Sequence, residues 1–289
     1  MRRLLIVGCG DVVRRVLPEL VRHWRVFALV REPEEELRAL GVVQIRGDLD
    51  RPATLKRLAG LAHAVLHSAP PSASGSADMR TRHLIAVLRR AQSLPRRLVY
   101  IGTSGVYGDC RGERVPETRA CLPQTARAQR RADAERQLRE FGGGSGCSVA
   151  ILRAPGIYAA DRLPLERLRR GDPLLHAAED VFTNHIHAED LGRACIAALH
   201  SGRPNRTYNA SDDSAIRMGD WFDKLADAYG IDRAPRLTRS EVERVLPPVT
   251  LSFMSESRRL DNARLKNELR LTLRYPTVAA GIAAALRKT

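Results

Sequence analysis

The sequence predicts an α/β protein with a Rossmann-type, doubly wound parallel sheet and a small C-terminal α/β substrate domain. The first observation is at residues 4–7, four apolar residues that are typical of a short buried strand. Gly8 and Gly10 follow directly, and Asp11 then begins a pattern with apolar residues at helical spacing. The second observation is that further short apolar runs alternate with helical patterns, which is typical of a parallel sheet covered on both faces.

The strand, glycine turn and helix together predict a dinucleotide-binding site. Glycine allows a tight turn and close approach of a pyrophosphate, and the N–H groups at the start of the helix bind its charge. A Gly-x-Gly-x-x-Gly motif would place its third glycine at Val13, where glycine lets helix and strand pack closely. We expect the valine to displace the start of the helix and to weaken binding. An ordinary strand–helix turn without a ligand is the alternative.

The other elements are predicted from apolar runs and helical periodicity. Strands are predicted at residues 25–30, 42–45, 64–67, 97–101, 147–152, 181–187 and 206–209. Helices are predicted at residues 33–40, 52–59, 78–92, 124–141, 190–199, 217–229, 261–269 and 275–287. These elements predict a dinucleotide-binding domain at residues 1–152, with 181–210 returning to it, and a smaller substrate domain at 153–180 and 211–289.

Ligands of such sheets bind beyond the carboxyl ends of the strands, where Gly8, Arg31, Asp48, Ser68 and Thr103 lie in this sequence. An acidic residue at the end of the second strand would bind a ribose 2′-hydroxyl, whereas an arginine suits a 2′-phosphate. Arg31 therefore predicts NADP as the cofactor. NAD is the alternative, because the next residue is acidic and could bind the hydroxyl.

The chain is strongly basic, with a formal net charge of +15. Four of its 48 basic residues are lysines and the others are arginines, spread along the whole chain. Aromatic residues make up only 4% and do not alternate with the arginine pairs, as stacking on single-stranded nucleic acid would require. An arginine-rich solvated surface is favoured over a nucleic-acid surface, and a small anionic ligand fits either interpretation.

Several protein classes are disfavoured by the sequence. The five cysteines are odd in number and form no Cys-x-x-Cys, which indicates reduced thiols in a cytoplasmic protein. No apolar stretch is long enough for a membrane span. His185 and His187 share one face of a predicted strand but have no evident third ligand, so no metal site is predicted. The sequence leaves monomer and homodimer open.

Four segments carry a family resemblance. Residues 101–108 (Ile-Gly-Thr-Ser-Gly-Val-Tyr-Gly) are similar to an S-S-x-x-V-Y-G motif, and residues 152–158 to R-x-x-x-x-Y-G. Residues 184–190 are similar to H-V-x-D, and residues 208–209 to a Y-N pair. In this order, the segments resemble the extended short-chain dehydrogenases of the NAD-dependent epimerase/dehydratase family. The resemblance implies a Rossmann domain, a small C-terminal domain, a nicotinamide dinucleotide and often a nucleotide-sugar substrate.

The resemblance also implies roles for individual residues. Thr103 matches the catalytic Ser/Thr that binds the substrate oxygen, and Asp48 matches an aspartate that contacts adenine. The predicted cofactor-binding residues are Gly8, Gly10, Asp11, Val12, Arg31, Asp48, Leu49, Ser68, Ala69, Pro70, Pro155, Gly156 and Ile157. The predicted substrate-contacting residues are Ser104, Arg127, Arg131, Tyr158 and His187.

The catalytic Y-x-x-x-K pair of the family is missing, and Arg127 and Arg131 occupy its positions. Arginine stays protonated and cannot exchange a proton with substrate. The two arginines share one helix face and could bind an anionic group of the substrate, or they could simply be solvated. Tyr107 is the candidate substitute proton donor, with Thr103 orienting the oxygen, and loop packing is the alternative role for Tyr107.

These features predict an NAD(P)-binding oxidoreductase or epimerase/dehydratase-like protein with an altered acid–base centre. Its substrate would be a small, anionic carbonyl compound or alcohol, for example a nucleotide sugar. Slow alcohol oxidation is expected, because a positioned acid–base group typically contributes about 10²–10⁴-fold in rate. A catalytically silent NADP-binding redox sensor or partner-binding module is the alternative.

Overall fold

The computed structural model describes residues 1–287, and its central element is a seven-stranded parallel sheet. The strands are β1 (Arg2–Val7), β2 (Trp24–Val30), β3 (Val43–Arg46), β4 (Ala64–His67), β5 (Arg97–Thr103), β6 (Arg114–Val115), β7 (Ser148–Ala154), β8 (Gly156–Tyr158), β9 (Leu174–Leu175), β10 (Phe182–Thr183), β11 (His185–His187), β12 (Arg206–Asn209), β13 (Ile216–Arg217), β14 (Arg236–Leu237) and β15 (Arg259–Leu260). The order in the central sheet is β12-β7-β5-β4-β1-β2-β3, and the other strands form two-stranded pairs.

The helices alternate with the strands of the sheet and then dominate the last third of the chain. They are α1 (Asp11–His23), α2 (Glu35–Ala39), α3 (Met79–Leu88), α4 (Ala126–Ser145), α5 (Leu165–Arg169), α6 (Ala188–Ser201), α7 (Met218–Tyr229), α8 (Arg239–Val245), α9 (Pro248–Phe253), α10 (Ala263–Leu269) and α11 (Val278–Leu286). Among residues 1–287, no helix has the length and apolar character needed to cross a membrane.

The sheet is buried on both faces. Alternate residues of β1 enter different cores: Leu4 and Ile6 pack with α1 and α6, whereas Leu5 and Val7 pack with α3 and α4. All four are fully buried. The continuous apolar run at residues 4–7 is therefore that of a strand covered by helices on both sides, as expected for a parallel sheet. The predicted doubly wound Rossmann-type fold is confirmed.

A third core forms away from the sheet around α7, whose Trp221, Phe222 and Leu225 pack with Tyr158 and with Ile282 of α11. Helix α10 belongs instead to the core of α1 and α6. The domain boundaries drawn from the sequence stay a prediction.

The structure moves several predicted boundaries by a few residues, for example ending α3 at Leu88 instead of residue 92, and three differences have a structural basis. Residues 52–58 form a 3-10 helix, and the predicted strand at 181–187 is divided at Asn184 into β10 and β11. Asn184 interrupts the strand because its side chain bonds the backbone of Arg258 and Leu260. Helix α4 continues past residue 141 to Ser145. Gly142 is a packing glycine inside this helix and not its end, because a Cβ atom there would lie 2.9 Å from Val149 Cγ2.

The start of α1 is accommodated differently from the prediction. Val13 is 1% exposed and packs in the core between α1 and α6. Close approach of these two helices depends on a glycine in the opposite helix, because a Cβ atom on Gly192 would lie 2.5 Å from Cγ1 of Val16. The valine is therefore part of a packed interface, while its expected effect on dinucleotide affinity stays a prediction.

Candidate functional site

The carboxyl ends of β1, β4, β5 and β7 border a cavity of about 320 Å³, named here the inner cavity. Its position agrees with the rule that ligands of parallel sheets bind at the carboxyl ends of the strands. The inner cavity is lined by Gly10, Asp11, Val12, Val13, Ser68, Ile101, Gly102, Thr103, Arg127, Arg131, Ala154, Pro155, Ile157 and Arg162. Most of the predicted cofactor-binding residues at these strand ends are therefore neighbours in space.

The turn after β1 requires glycine at position 8. Gly8 has φ +91°, and a Cβ atom there would lie 2.6 Å from Cα of Ala69. The chain after β4 is fixed against this turn, because Ala69 N donates to the carbonyl of Val7 at 3.0 Å and the Ser68 hydroxyl donates to the carbonyl of Gly8. A Cβ atom on Gly10 would meet nothing within 4 Å. The backbone thus forms an open cradle that fits a pyrophosphate.

Helix α1 begins beside this cradle without a side-chain cap, so its first N–H groups are available to an anion. Asp11 also lies here, but its carboxylate is held between Arg15 at 2.8 Å and Arg162 at 2.9 Å. Partial burial would raise the pKa of Asp11, and the hydrogen bonds from these two arginines nevertheless hold it below its ordinary value. The local charge at the cradle is consequently not negative.

The predicted adenosine-side residues lie beyond the ends of β2 and β3 and do not line the inner cavity. Arg31 is exposed. Asp48 accepts a hydrogen bond from the backbone of Asp50, and the buried Leu49 offers its carbonyl to His83 at 2.7 Å. Pro70, on the rim after β4, receives a hydrogen bond from Arg80 at 3.0 Å.

Thr103, Arg127 and Arg131 form the wall of the inner cavity next to β5. Thr103 Oγ1 accepts the N–H of Gly105 at 3.2 Å, which leaves the hydroxyl proton free to donate. Arg131 donates to the Tyr100 hydroxyl and to the Ile101 carbonyl, both at 2.9 Å. Within residues 1–287 Arg127 makes no hydrogen bond or ion pair. Partial burial and then the charge of Arg131 lower its pKa, and the charge of Glu256 only partly offsets them. It is the guanidinium best placed to receive an anion.

Tyr107, the expected proton donor, is bound inside the protein and away from both cavities. Tyr107 is 1% exposed, lines neither cavity described here, and donates its hydroxyl to Asn209 Oδ1 at 2.7 Å. Its ring lies 4.6 Å from the guanidinium of Arg153. Burial raises the pKa of Tyr107 to about 12, and the Arg153 charge only partly offsets this. Tyr107 therefore connects β5 to β12 as a packing residue.

Two predicted substrate residues also lie in the protein interior. Tyr158 is 3% exposed and packs edge-on against Trp221, and it lines neither the inner cavity nor the larger one beside it. His187 caps α6 by accepting the N–H of Glu189 at 3.2 Å, and its ring stacks on Tyr275 at 3.7 Å. Neither predicted substrate residue lines the inner or the outer cavity, because Tyr158 packs in the third core and His187 caps the start of α6.

A second cavity of about 740 Å³, the outer cavity, continues from Thr103 and Arg127 between the sheet edge and the third core. The predicted residues Ser104, Pro155, Gly156 and Ile157 line it. The lining contributed by the C-terminal half is Arg162, Arg167, Phe182, Thr183, Asn184, His185, Met218, Trp221, Phe222, Pro248, Val249, Ser252, Phe253, Glu256 and Arg258. Because Thr103, Arg127 and Arg162 border both cavities, a molecule in one cavity can reach a molecule in the other.

The outer cavity is cationic and otherwise largely apolar. Four arginines line it, and Glu256 is the acidic residue among the lining groups. That carboxylate is bound to Arg258 at 2.7 Å. The arrangement suits an anionic organic molecule. No motif in the sequence predicts Arg162, Arg167 or the aromatic wall, because these residues come from separate segments of the chain.

The glycine cradle, the uncapped helix and the adjoining cavity define a dinucleotide-binding protein of the Rossmann class. Residues 8–202 match the model of a family described as NAD(P)H-binding. The chain belongs to this family, and the predicted resemblance to NAD-dependent epimerases and dehydratases is confirmed.

Two curated proteins are similar to the chain. One is the trifunctional UDP-glucose 4,6-dehydratase/UDP-4-keto-6-deoxy-D-glucose 3,5-epimerase/UDP-4-keto-L-rhamnose-reductase of Arabidopsis thaliana, 24% identical over 47% of this chain and 22% of that protein. The chain therefore spans about a fifth of that relative. The other is 4-hydroxy-2-methyl-3-oxo-4-farnesyl-3,4-dihydroquinoline-1-oxide ketoreductase of Stigmatella aurantiaca, 25% identical over 80% of this chain and 74% of that protein.

Two solved structures share the fold over nearly the whole chain. A functionally unknown conserved protein of Silicibacter pomeroyi has a TM-score of 0.81 and 26% identity, covering 100% of this chain and 99% of that one. UDP-glucose 4-epimerase of Thermotoga maritima, solved with UDP-glucose, has a TM-score of 0.76 and 17% identity, with 99% of each chain covered. The second likeness concerns the fold alone.

Proposed function

We propose that the chain is an NADP-dependent reductase that acts on a carbonyl compound bearing an anionic group. The observation that carries the proposal is the position of Thr103 and the unpaired Arg127, which border the cradle-side cavity and the outer cavity together. The ketoreductase similar to most of this chain supports a carbonyl substrate. The cationic lining of the outer cavity supports an anionic one.

The preference for NADP is supported by charges around the end of β2. Arg46 pairs with Glu32 at 2.9 Å, and Arg14 holds Glu34 and Glu36. The acidic groups that could bind a ribose hydroxyl are therefore engaged by other arginines. Arg31 is exposed and forms no ion pair with residues 1–287, so its guanidinium is available for a 2′-phosphate.

The residues present suit hydride transfer to a carbonyl carbon without a tyrosine acid. A bound nicotinamide supplies or accepts hydride at the substrate carbon. During reduction, negative charge grows on the carbonyl oxygen, and the Thr103 hydroxyl and the Arg127 guanidinium can stabilise it by donating hydrogen bonds. Arginine cannot give or take the proton of the alcohol, so in either direction that proton must be exchanged with water. The proton that completes reduction would come from water in the open cavity.

The experiment combines calorimetry with turnover. NADPH and NADH are titrated separately into the protein, and NADPH consumption is then followed with aldehydes and ketones that do or do not carry a carboxylate. The proposal predicts tighter binding of NADPH and turnover mainly of the anionic carbonyl compounds. Equal or tighter binding of NADH would contradict the cofactor assignment.

The sequestered Tyr107 hydroxyl favours one second candidate, a silent NADP-binding module. It leaves Thr103 without a neighbouring tyrosine acid in the cavities described. Persistent NADPH binding with no turnover of any carbonyl compound, in either direction, would favour this candidate over the reductase.

A further inference from the structure

Two polar side chains on the wall of the outer cavity have nitrogen atoms without a hydrogen-bond partner in the described part of the chain, residues 1–287. Arg167 has Nε and Nη2 enclosed by protein with no acceptor. His185 is 5% exposed, and its Nδ1 is likewise enclosed and unbonded. Both residues line the outer cavity. Neither has a role in the reductase proposed above.

Each of the two side chains is held on an aromatic ring of α7. The Arg167 guanidinium lies 4.6 Å from the centre of the Phe222 ring, and the His185 ring lies 4.5 Å from that of Trp221. The aromatic faces hold the guanidinium and the imidazole in place. They do not provide conventional hydrogen-bond acceptors for the N–H groups at the edges of these two side chains. The guanidinium and the imidazole are thus fixed on one cavity wall, where Arg167 Nη1 and His185 Nε2 are the nitrogen atoms that the protein does not enclose.

The charge of Arg167 is not neutralised by the protein. Asp172 is close enough to act on it, but the carboxylate of Asp172 pairs with Arg170 at 2.7 Å. Burial lowers the pKa of Arg167, the charge of Asp172 partly offsets this, and the charge of Arg170 lowers the pKa further. Enclosing a guanidinium without an acceptor costs free energy, which a bound anion would offset.

We propose that Arg167 and His185 form an oxyanion subsite, so that the substrate of this cavity is an organic acid with an apolar body. Its carboxylate would accept hydrogen bonds from Arg167 Nη1 and from His185 Nε2, the nitrogen atoms of these two side chains that the protein does not enclose. Its apolar body would lie against Trp221, Phe222 and Phe253, of which Phe253 is 51% exposed at the rim. This inference rests on the proposed function, since it names the substrate class of the same cavity.

Binding of simple probes tests the subsite without turnover. 3-Phenylpropionate, its neutral analogue 3-phenylpropionamide and inorganic phosphate are titrated calorimetrically into the protein, with and without NADPH. The acid should bind at least about tenfold more tightly than the amide, because a hydrogen bond to a charged group contributes that much. Phosphate should bind more weakly than the acid, since it lacks the apolar body. Equal affinity for acid and amide, or phosphate binding as tightly as the acid, would overturn the proposal.

Variants separate recognition from a structural role. Arg167→Met keeps the packing on Phe222 and should reduce the affinity for the acid to that for the amide. His185→Asn should reduce the affinity for the acid more than the affinity for the amide. Arg169→Met is the matched control, because Arg169 is exposed, pairs with Glu166 and lies outside the cavity lining. Its acid affinity should be unchanged.

Thermal unfolding of the same variants completes the test. Arg167→Met should unfold at the same temperature as the parent or higher, because an unpaired enclosed charge is removed. A lower unfolding temperature with unchanged acid affinity would make Arg167 a structural residue and overturn the proposal. If NADPH fails to bind while the acid still discriminates, the reductase is contradicted and the subsite stands.

Discussion

Replacement of Tyr107 by phenylalanine separates the packing role seen in the structure from a catalytic one. The change removes a hydroxyl that donates to Asn209 Oδ1 at 2.7 Å. The amide nitrogen of Asn209 already donates to the carbonyls of Val115 and Asp261, so the side chain cannot turn to a new partner without losing these bonds. A buried acceptor left without a donor costs about 1–3 kcal/mol.

The expected result is a less stable protein with unchanged chemistry. In a chain of this size each kcal/mol lowers the unfolding temperature by roughly 2–4 °C, so a shift of about 2–12 °C is expected in calorimetry. NADPH affinity and carbonyl reduction should remain within about twofold of the parent, whereas loss of a proton donor would cost about 10²–10⁴-fold. A variant that unfolds like the parent but has lost turnover would refute the reasoning and restore Tyr107 as the acid.

Four other changes test the site and its surroundings. Arg31→Ala should reduce the affinity for NADPH by about ten- to hundredfold in calorimetry, because one charged contact is lost, and should leave the affinity for NADH unchanged. Arg127→Ala should raise KM for an anionic carbonyl compound more than it lowers kcat in steady-state kinetics. Val13→Gly should lower the free energy of unfolding by about 2–4 kcal/mol, since it leaves a cavity and adds a helix glycine, while dinucleotide binding tightens by up to about 1 kcal/mol if the helix moves inward. Burial raises the pKa of Asp212 from 3.8 to about 8, so the folded parent gains stability from the bound proton at low pH and loses it as the pH rises towards 8. Asp212→Asn cannot lose this proton. Its free energy of unfolding, measured by denaturant titration, should therefore increase relative to that of the parent between about pH 5 and 8.

Matched variants and contrary outcomes make these tests specific. Arg38→Ala is the control for position 31 and Arg136→Ala for position 127, since both are exposed arginines outside the cavity linings. Equal losses of NADPH and NADH affinity would contradict a 2′-phosphate contact. A change in kcat alone would contradict anion binding by Arg127. Unchanged or weaker binding by the glycine variant would show that the turn has adapted to valine, and a pH-independent stability difference would contradict a raised pKa at position 212.

Local sequence signals were sufficient for the Rossmann half of the fold. The apolar run at residues 4–7, the glycines after it and the alternating strands and helices reflect burial on both sheet faces and tight turns, which depend on neighbouring residues. The predicted glycine requirement at Gly8 also follows from local backbone geometry, and the structure shows the atoms of Ala69 that impose it.

Long-range contacts decided what the sequence alone could not. The hydroxyl of Tyr107 is bound by Asn209, 102 residues further along the chain, and no local pattern reveals that contact. Gly142 resembles a helix terminator, yet it lies inside α4 because β7 packs against it. The sequence does not distinguish Arg167 from the surface arginines, because its contact with Phe222 depends on the packing of α7. The inner cavity was therefore largely predictable, whereas the outer cavity depended on tertiary packing.

A crystal structure of the protein with NADPH bound tests the central claim most directly. The account predicts pyrophosphate on the cradle of Gly8 and Gly10, the 2′-phosphate at Arg31, and the nicotinamide ring beside Thr103 with Arg127 facing the space for the substrate. Tyr107 should remain bonded to Asn209. A 2′-phosphate bound away from Arg31, or a rearranged Tyr107 whose hydroxyl reaches the nicotinamide, would contradict the account.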